Sequence, residues 1–390
     1  MTIQQVKKLI NKCGEVVSVH YGWNIAKFRK DEITINGDVL KCGYYEINSR
    51  DIRAIANGAY VSVAAAVTFG SDPELFFVKN GQIVPSNDVI TTDGGDVTRD
   101  GFQLELNPQG HTCREIAGSN IARALFRAEE IASNIGAELS IAVGVTVGDE
   151  AWKKSTFETR RFGCNPTSNV YQKINRLATG MRIRFRSGAG HIHIGGLNAH
   201  EKADLPTIVK LMDIIGGNTA VLIDRDENNA HRRKYYGRAG EYRPKQYGLE
   251  YRVFSNFWLR HYVLWSMASG LLRNAVGIYR AGLADDLIKR FDMVKVREAI
   301  NTNDKALAME NFLIYKKFLE DKNIFTGSGI DIGNVDLFLA WANKKDPIAE
   351  LAPTLKSTFD SWEEKLHYGA NGFEKFLDHS ALDELDHCNG

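Results

Sequence analysis

Four short segments with alternating polar and apolar residues constrain the fold of this 390-residue chain more than any other feature. Successive side chains of a β-strand point to opposite faces of its sheet, so each segment has one apolar and one polar face. An ordinary solvated face carries mostly Thr, Lys and Ser, whereas these faces carry carboxylate, imidazole, amide and guanidinium groups. The segments, which we expect to form strands, are 72–77, 102–107, 190–195 and 249–253.

The polar faces of these segments predict a shared binding site. Carboxylates and imidazoles bind divalent cations, and guanidinium groups bind phosphates. Each segment alone is typical of an ordinary amphipathic strand, and a single buried histidine is more often structural than a ligand. The combination of all four favours convergence on one site. In chain order, the polar-face side chains are Asp72, Glu74, Gln103, Glu105, Asn107, His191, His193, Glu250 and Arg252.

Glycines surround the two histidines of the third segment. A glycine lets another backbone or a ligand approach closely, because it has no Cβ. The pattern therefore indicates close approach at Gly188, Gly190, Gly195 and Gly196.

Residues 231–245 form a cationic segment in which Arg and Lys alternate with Tyr. Its glycines and its proline predict a loop. Such a loop could be a solvated surface, could contact a nucleic-acid backbone or could clamp the phosphates of a nucleotide. Because the segment runs directly into the Glu250 strand, we favour nucleotide phosphates, with Arg233, Lys234, Arg238 and Arg243 as candidate contacts.

Composition restricts the class of protein. The chain has 49 basic and 48 acidic residues, so no overall field attracts nucleic acid or an anionic membrane. The N-terminus lacks the apolar core of a signal peptide, and the apolar stretch 59–69 is too short to cross a bilayer. The five cysteines are scattered without a CxxC pair, which predicts reduced thiols rather than disulfides or structural zinc. We therefore expect a cytoplasmic protein.

The order of patterns predicts an α+β fold with a mostly antiparallel sheet. We expect a small mixed α/β leader over 1–65 with a hairpin at Asn36-Gly37, a catalytic core over 66–282, and a mostly helical C-terminal region over 283–390. Helical periodicity covers 114–135, 205–223 and 258–279. The chain has no GxGxxG or Walker A sequence, and we interpret the pairs Gly94-Gly95 and Gly216-Gly217 as turns.

Residues 70–77, 101–107, 188–193 and 249–254 resemble, in order, the site strands of the glutamine synthetase-like superfamily. The cationic segment and 255–259 resemble more narrowly the phage-encoded carboxylate–amine ligases of type 2. The resemblance spans roughly 67–260. It implies a glutamine synthetase-like catalytic fold, in which a curved sheet forms the site with its polar face and carries helices on the other face.

The resemblance also implies roles for individual residues. Glu74, Glu105, His191 and Glu250 would bind the metal ion, and Asp72 would be a further ligand or an adjacent partner. His193 would lie near the nucleotide, and Arg243 and Arg252 would contact phosphates or the carboxylate substrate. The superfamily often has a further metal carboxylate before the second-strand glutamate. Asp93, Asp96 and Asp100 are available for it, and we choose Asp96. For the proton acceptor of the amine we consider Glu241 and Tyr236.

The implied activity is an ATP- and Mg²⁺- or Mn²⁺-dependent carboxylate–amine ligase that forms an amide through an acyl phosphate. Its substrates would be a small-molecule or peptide carboxylate and an amine, in the host cytoplasm if the protein is phage-encoded. A metal-dependent phosphotransferase of the same fold and a metal-dependent nucleic-acid-processing enzyme are the alternatives, although the balanced charge does not favour nucleic acid as a partner. A non-catalytic protein is disfavoured by the clustered carboxylates. Homo-oligomerisation and the identities of both substrates remain open.

Overall fold

The computed structural model describes residues 1–21, 24–42, 45–58, 61–63, 65–90, 95–161, 168–172, 182–325 and 335–376. Asp93, Gly94 and two of the five cysteines, Cys164 and Cys388, lie outside these ranges.

The N-terminal residues build a small layer of one helix and short strands. The helix begins at Thr2, whose side chain accepts a hydrogen bond from the backbone of Gln5 while Gln5 bonds back to Thr2. Its buried residues Val6 and Ile10 join a hydrophobic cluster that is separate from the main core. The elements are α1 (Ile3–Lys12), β1 (Val16–Tyr21), β2 (Asn24–Arg29), β3 (Ile33–Asn36), β4 (Val39–Cys42), β5 (Tyr45–Asn48) and β6 (Ile52–Asn57).

These strands pair as β2-β1-β6 and as β3-β4-β5, all antiparallel. The predicted hairpin is confirmed with its turn one residue later, because Asn36 pairs with Val39 and leaves Gly37 and Asp38 in the turn. Gly37 has a φ of +57°, a conformation that favours glycine.

Two antiparallel sheets form the centre of the molecule. The strands of this region are β7 (Val61–Ser62), β8 (Thr68–Ser71), β9 (Glu74–Lys79), β10 (Gln82–Val84), β11 (Val97–Asp100), β12 (Gln103–Leu106), β13 (Glu138–Ser140), β14 (Gly144–Thr146), β15 (Ser168–Asn169), β16 (Phe185–Ser187), β17 (Ile192–Gly195), β18 (Glu241–Lys245) and β19 (Gly248–Tyr251). One central sheet follows the order β10-β9-β12-β11, with β13 also paired to β9, and the other follows β15-β18-β19-β17-β8. Strands β14 and β16 pair with each other in a separate two-stranded sheet.

The two sheets meet where the chain passes from β8 to β9 through Asp72 and Pro73. There the Glu74 N–H donates to the Ala189 carbonyl over 2.8 Å, which ties β9 to the residues before β17. Both sheets therefore bring their polar faces to this junction.

Helices cover the apolar faces of both sheets. Leu75, Leu104, Ile192 and Leu249 are fully buried in the main core, as the alternation predicts. The helices of this region are α2 (Arg114–Asn134), α3 (Asp149–Lys154), α4 (Phe157–Arg160), α5 (Ala199–Ala203), α6 (Leu205–Met212), α7 (Asn218–Val221) and α8 (Asn228–Arg232). Helix α2 lies against β8 and β12, and α6 lies against β18 and β19. Helix α2 ends before Gly136, whose φ of +63° confirms the predicted stop.

A π-helix, Asp213–Gly217, joins α6 to α7, so the predicted helix over 205–223 is confirmed. The interpretation of Gly216-Gly217 as a turn is wrong. Both glycines are buried inside the helical run. A Cβ on Gly216 would come within 2.9 Å of Leu272, and one on Gly217 within 2.8 Å of Ile300. These glycines serve close packing between helices rather than a change of chain direction.

In the described part of the chain beyond residue 283, most residues lie in helices, as predicted. The segment predicted as one helix over 258–279 starts as a 3-10 helix, Asn256–Arg260, and restarts at His261, whose side chain accepts the Val263 N–H. The elements are α9 (Tyr262–Arg280), α10 (Ala284–Ile288), α11 (Met293–Thr302), α12 (Lys305–Lys322), β20 (Ile324–Phe325), α13 (Val335–Ala342), α14 (Pro347–Leu351) and α15 (Leu355–Phe376). Strand β20 pairs in parallel with β7. Among the helices of the described ranges, none combines the length and apolar character needed to cross a membrane.

Candidate functional site

The first cluster at the sheet junction consists of Glu74, Asp100 and Glu105, and we call it the acidic group. Glu74 and Glu105 face each other across the β9–β12 ladder, and Asp100 ends the neighbouring strand β11. One carboxylate oxygen from each of the three lies within 4.8 Å of the others. Glu74 Oε2 also accepts hydrogen bonds from the Ala189 N–H at 3.1 Å and the Gln103 amide at 3.4 Å. The strand register therefore brings three carboxylates to one point.

This crowding makes ionisation of the acidic group costly. Burial, together with the Asp100 charge, raises the pKa of Glu74 to about 8. Burial, followed by the charges of Asp72, Glu74 and Asp100, raises the pKa of Glu105 to about 9. Like charges in a poorly solvated site disfavour the ionised form unless a cation compensates them. A divalent cation with oxygen ligands would provide that compensation.

Asp96, our sequence choice for the additional carboxylate, is not in the acidic group; Asp100 is. Asp96 and Asp100 lie on the same face of the β11 segment, but Asp96 is exposed and its carbonyl bonds to the Asn107 N–H, beyond the Glu105 pairing. Asp100 occupies the other end of β11, opposite Gln103. Strand alternation alone cannot show whether Asp96 or Asp100 joins the acidic group, because that depends on the register between β11 and β12.

Asp72, His191 and Glu250 form a second cluster, which we call the mixed group. Their ligating atoms also lie within 4.8 Å of one another. His191 Nδ1 lies 2.8 Å from Asp72 Oδ1 and 3.5 Å from Glu250 Oε1. His193 Nε2 lies 3.1 Å from the other Asp72 oxygen. The strand alternation, with Asp72 at the turn between the sheets, brings these residues together as the sequence analysis expected.

The histidines determine the charge state of Asp72. Burial would raise the pKa of Asp72, but the neighbouring His191 and His193 hold it below its usual range. Burial lowers the pKa of His191, against the opposing effect of Asp72, so the neutral imidazole is favoured. A neutral imidazole is the form that binds a metal ion.

Glu250 is fully buried and has three cationic partners. Its Oε1 lies 2.8 Å from Arg252 Nη1, and its Oε2 lies 2.9 Å from Arg243 Nη1 and 3.0 Å from Lys245 Nζ. In the ladder, Glu250 pairs with His193 on one side and with Arg243 on the other. Sequence reasoning missed Lys245, although its spacing of two residues from Arg243 already places both on one face of β18.

Tyr236 connects His191 to Arg252. Its hydroxyl bonds to His191 Nε2 and accepts from Arg252 Nη2, and the Arg252 guanidinium lies 4.7 Å from the centre of the tyrosine ring. This position makes Tyr236 part of the site, whereas its proposed role as a proton acceptor stays a prediction.

The cationic segment is not simply a loop. It begins in α8, turns through 233–240 and ends as strand β18. Pro244 is tolerated there because it lies beyond the short pairing of β18 with β15. The cations of this segment consequently differ in environment.

Arg233 was predicted to contact a nucleotide, but the structure buries it and directs Nη1 to Asn303 Oδ1 at 2.9 Å, at the end of α11. This contact makes Arg233 a residue of the helical core. Arg238 donates to the carbonyls of Arg233 and Lys234, and Lys234 is exposed. Among these candidates, Arg243 contacts Glu250 directly.

Glu241 shares the polar face of β18 with Arg243. Its Oε2 accepts the Gly237 N–H at 2.8 Å, and its carbonyl accepts the Arg252 N–H at 3.1 Å. Burial raises the pKa of Glu241, against the lowering effect of the Gly237 hydrogen bond. The structure thus places Glu241 beside Arg252, and its catalytic role stays a prediction.

The glycines before the two histidines leave space for the backbone of other chain segments. A Cβ on Gly188 would lie 2.2 Å from the Ala142 carbonyl oxygen, and one on Gly190 would lie 2.2 Å from that of Ser255. On Gly195 it would meet the Thr68 side chain at 2.1 Å. At the first two positions the close approach is therefore between chain segments, which lets β17 reach the junction.

Comparison with known proteins bears on the second half of this site. Residues 164–269 match the model of the family described as phage phiEco32-like COOH.NH2 ligase-type 2. The matched range contains His191, His193, Arg243, Glu250 and Arg252, whereas the acidic group lies outside it. Among curated proteins, none matches the chain. The family resemblance inferred from the motifs is thus confirmed over residues 164–269, where the chain is similar to the phage phiEco32-like carboxylate–amine ligases of type 2.

Proposed function

We propose that this protein is an ATP- and divalent-metal-dependent carboxylate–amine ligase that forms an amide through an acyl phosphate. One observation carries the proposal: the acidic group and the mixed group adjoin at the sheet junction, and Glu250 of the mixed group is held by three cations. A ligand that combines divalent metal with several negative charges matches this arrangement. The family match over 164–269 supports the choice of ligase chemistry.

The acidic group fits a Mg²⁺ or Mn²⁺ ion. Its donors are carboxylate oxygens, which these ions prefer, and the pKa values of Glu74 and Glu105 are raised by burial and by crowded negative charge, which a cation would compensate. The mixed group adds an imidazole and is our candidate for a second ion. When bound, such ions would neutralise charge on the transferring phosphoryl group.

The chain's own cations would then orient the anionic substrates. The side chains of Arg243 and Lys245 are 23% and 28% exposed, so each can reach a ligand while remaining near Glu250. Arg252 is fully buried and fixed between Glu250 and Tyr236, so we assign it to holding the site in shape. Preorganised donors of this kind stabilise developing charge without reorganisation.

We also propose a glutamine synthetase-like fold for the catalytic core. The antiparallel sheets, their polar faces at the junction and the helices on their apolar faces support this assignment. The order of the four site strands is the one that the superfamily resemblance implies.

The test is a substrate screen that couples ADP release to mass detection of an amide. We expect ADP formation that requires a carboxylate, an amine and a divalent metal together. A stable phosphorylated carboxylate without an amide would instead identify a phosphotransferase. ATP hydrolysis that is indifferent to every carboxylate–amine pair would contradict the ligase proposal.

Nucleic-acid processing is the weaker candidate on the same geometry. A backbone-binding surface needs exposed cations that can neutralise several phosphates. In the cationic segment, Arg232 and Arg233 are buried, and Arg243 and Lys245 lie against Glu250. This distribution is better suited to a compact anion inside a cleft than to a polymer on a surface.

A further inference from the structure

Tyr247 presents an aromatic ring at the exposed edge of the site. It is the second residue of the two-residue turn between β18 and β19, two positions after Lys245, and is 44% exposed. Its hydroxyl lies 2.9 Å from His193 Nδ1. The tyrosine and histidine rings are nearly parallel, with an interplanar angle of 24° and centres 6.1 Å apart. The hydroxyl group of the tyrosine is thus engaged, while the residue as a whole stays exposed to solvent.

The backbone fixes the position of this ring. Lys245 pairs with Gly248 across the turn, and Gly248 in turn pairs with Gly195 of β17. A Cβ on Gly248 would lie 2.1 Å from the Ile194 carbonyl oxygen, so the turn is held tightly against β17. The ring edge lies near Gly195, where an added Cβ would be 3.5 Å from Tyr247 Cδ2, an ordinary packing distance. The turn backbone is therefore held in place, and the hydroxyl contact with His193 ties the ring to β17.

The surroundings of Tyr247 contain the other groups that a nucleotide requires. His193, against which the tyrosine lies, also contacts Asp72 of the mixed group. Arg243 and Lys245 are partly exposed on the adjacent strand. A planar surface, two cations and a cluster of metal-ligating groups thus follow one another from the edge of the site to its interior. In a bound nucleotide, the base would meet the planar surface, the phosphates would meet the two cations, and the metal ion would meet the ligating cluster.

We propose that the exposed face of Tyr247 stacks against the base of the nucleotide and thereby selects a nucleoside triphosphate over a simple polyphosphate. This inference rests on the proposed function and adds a residue to it. Aromatic side chains bind bases through stacking because every base has a π-face. The hydrogen bond to His193 would orient the ring for that contact.

The test compares two probes, ATP and inorganic tripolyphosphate, each with Mg²⁺, by calorimetric titration of the full-length protein. We expect Tyr247→Ala to weaken ATP binding about tenfold and to leave tripolyphosphate binding unchanged, because only ATP carries a base. Tyr247→Phe keeps the ring and should retain most of the ATP affinity. The control is Tyr235→Ala, which removes another exposed tyrosine, one that packs against Phe185 and His231 rather than His193.

The outcomes separate this inference from the proposed function. Amide formation with an unchanged ATP affinity in Tyr247→Ala would overturn the stacking role alone. Equal loss of both probes in that variant would also overturn it, because the residue would then act through the shape of the site. A wild-type protein that binds neither probe would overturn the proposed function and the stacking role together.

Discussion

At the scale of single residues, Glu250 is the centre of the site. A fully buried carboxylate is costly unless charged partners and hydrogen bonds compensate it. Arg252, Arg243 and Lys245 provide that compensation from the same and the adjacent strand. The acidic group has the opposite character, because burial and neighbouring carboxylates raise the pKa values of Glu74 and Glu105. We therefore assign the first metal ion to the acidic group.

This assignment predicts the effect of removing one carboxylate. Asp100→Asn should weaken Mn²⁺ binding by at least about tenfold, or roughly 1.4 kcal/mol, because one charged ligand is lost. Titration calorimetry or the paramagnetic effect of Mn²⁺ on water relaxation measures the affinity. Asp96→Asn is the matched control and should bind as the wild type does. Equal affinities in the two variants would contradict the placement of Asp100.

The sequence alone identified most members of the acidic group and the mixed group, because alternation along a strand decides which side chains share a face. It was sufficient for Glu74, Glu105, His191 and Glu250 to be grouped. Asp100 required the β11–β12 register, which residue spacing does not determine. Arg233 was misjudged because a basic residue beside the site strand can still be directed into the helical core, where Asn303 accepts from it.

At the scale of elements, the junction depends on how closely strand β17 approaches its neighbours. The residues just before it pass so near the backbone of Ser255 that Gly190 leaves no space for a Cβ. The sequence indicated close approach at these glycines but not its partner, because the partner comes from a segment 65 residues away in the chain. Periodicity predicted the helices over 114–135 and 205–223, whereas the π-helix over Gly216-Gly217 depended on contacts with α9 and α11.

Gly190→Ala should therefore destabilise the fold by about 1–3 kcal/mol, since the added methyl group forces a backbone shift. Chemical denaturation followed by circular dichroism measures the free energy of unfolding. Gly70→Ala is the control on the paired strand β8, where the nearest atom to a new Cβ is 3.5 Å away. If both variants unfold at the same denaturant concentration as the wild type, the close approach is not a structural requirement.

At the scale of the whole molecule, Asp213 joins the site sheet to the helical layer. It is fully buried in the π-helix and accepts hydrogen bonds from Tyr251 at 2.7 Å and from Tyr171 at 2.9 Å. Tyr251 follows Glu250 on β19, so this carboxyl group supports the site strand from behind. Burial raises the pKa of Asp213 to about 7, although both tyrosine hydrogen bonds oppose the rise.

The raised pKa gives a prediction for stability. The folded state holds the Asp213 proton more tightly than the unfolded state, whose pKa is near the ordinary value of 3.8. The contribution is thus complete below about pH 4 and is lost as the pH rises through about 7. Asp213→Asn should remove this dependence, so its free energy of unfolding should fall less between pH 5 and pH 8 than that of the wild type. Parallel curves for both proteins would show that Asp213 does not titrate in this window.

The central claim, activation of a carboxylate by phosphoryl transfer, has a direct isotopic test. With a carboxylate–amine pair from the substrate screen, the carboxylate is labelled with ¹⁸O and the inorganic phosphate is analysed by mass spectrometry. If the carboxylate oxygen attacks the γ-phosphorus, that oxygen leaves with the phosphate when the amine displaces it. We predict one ¹⁸O atom in the phosphate for each amide formed from fully labelled carboxylate. Amide formation with unlabelled phosphate would contradict the acyl-phosphate mechanism.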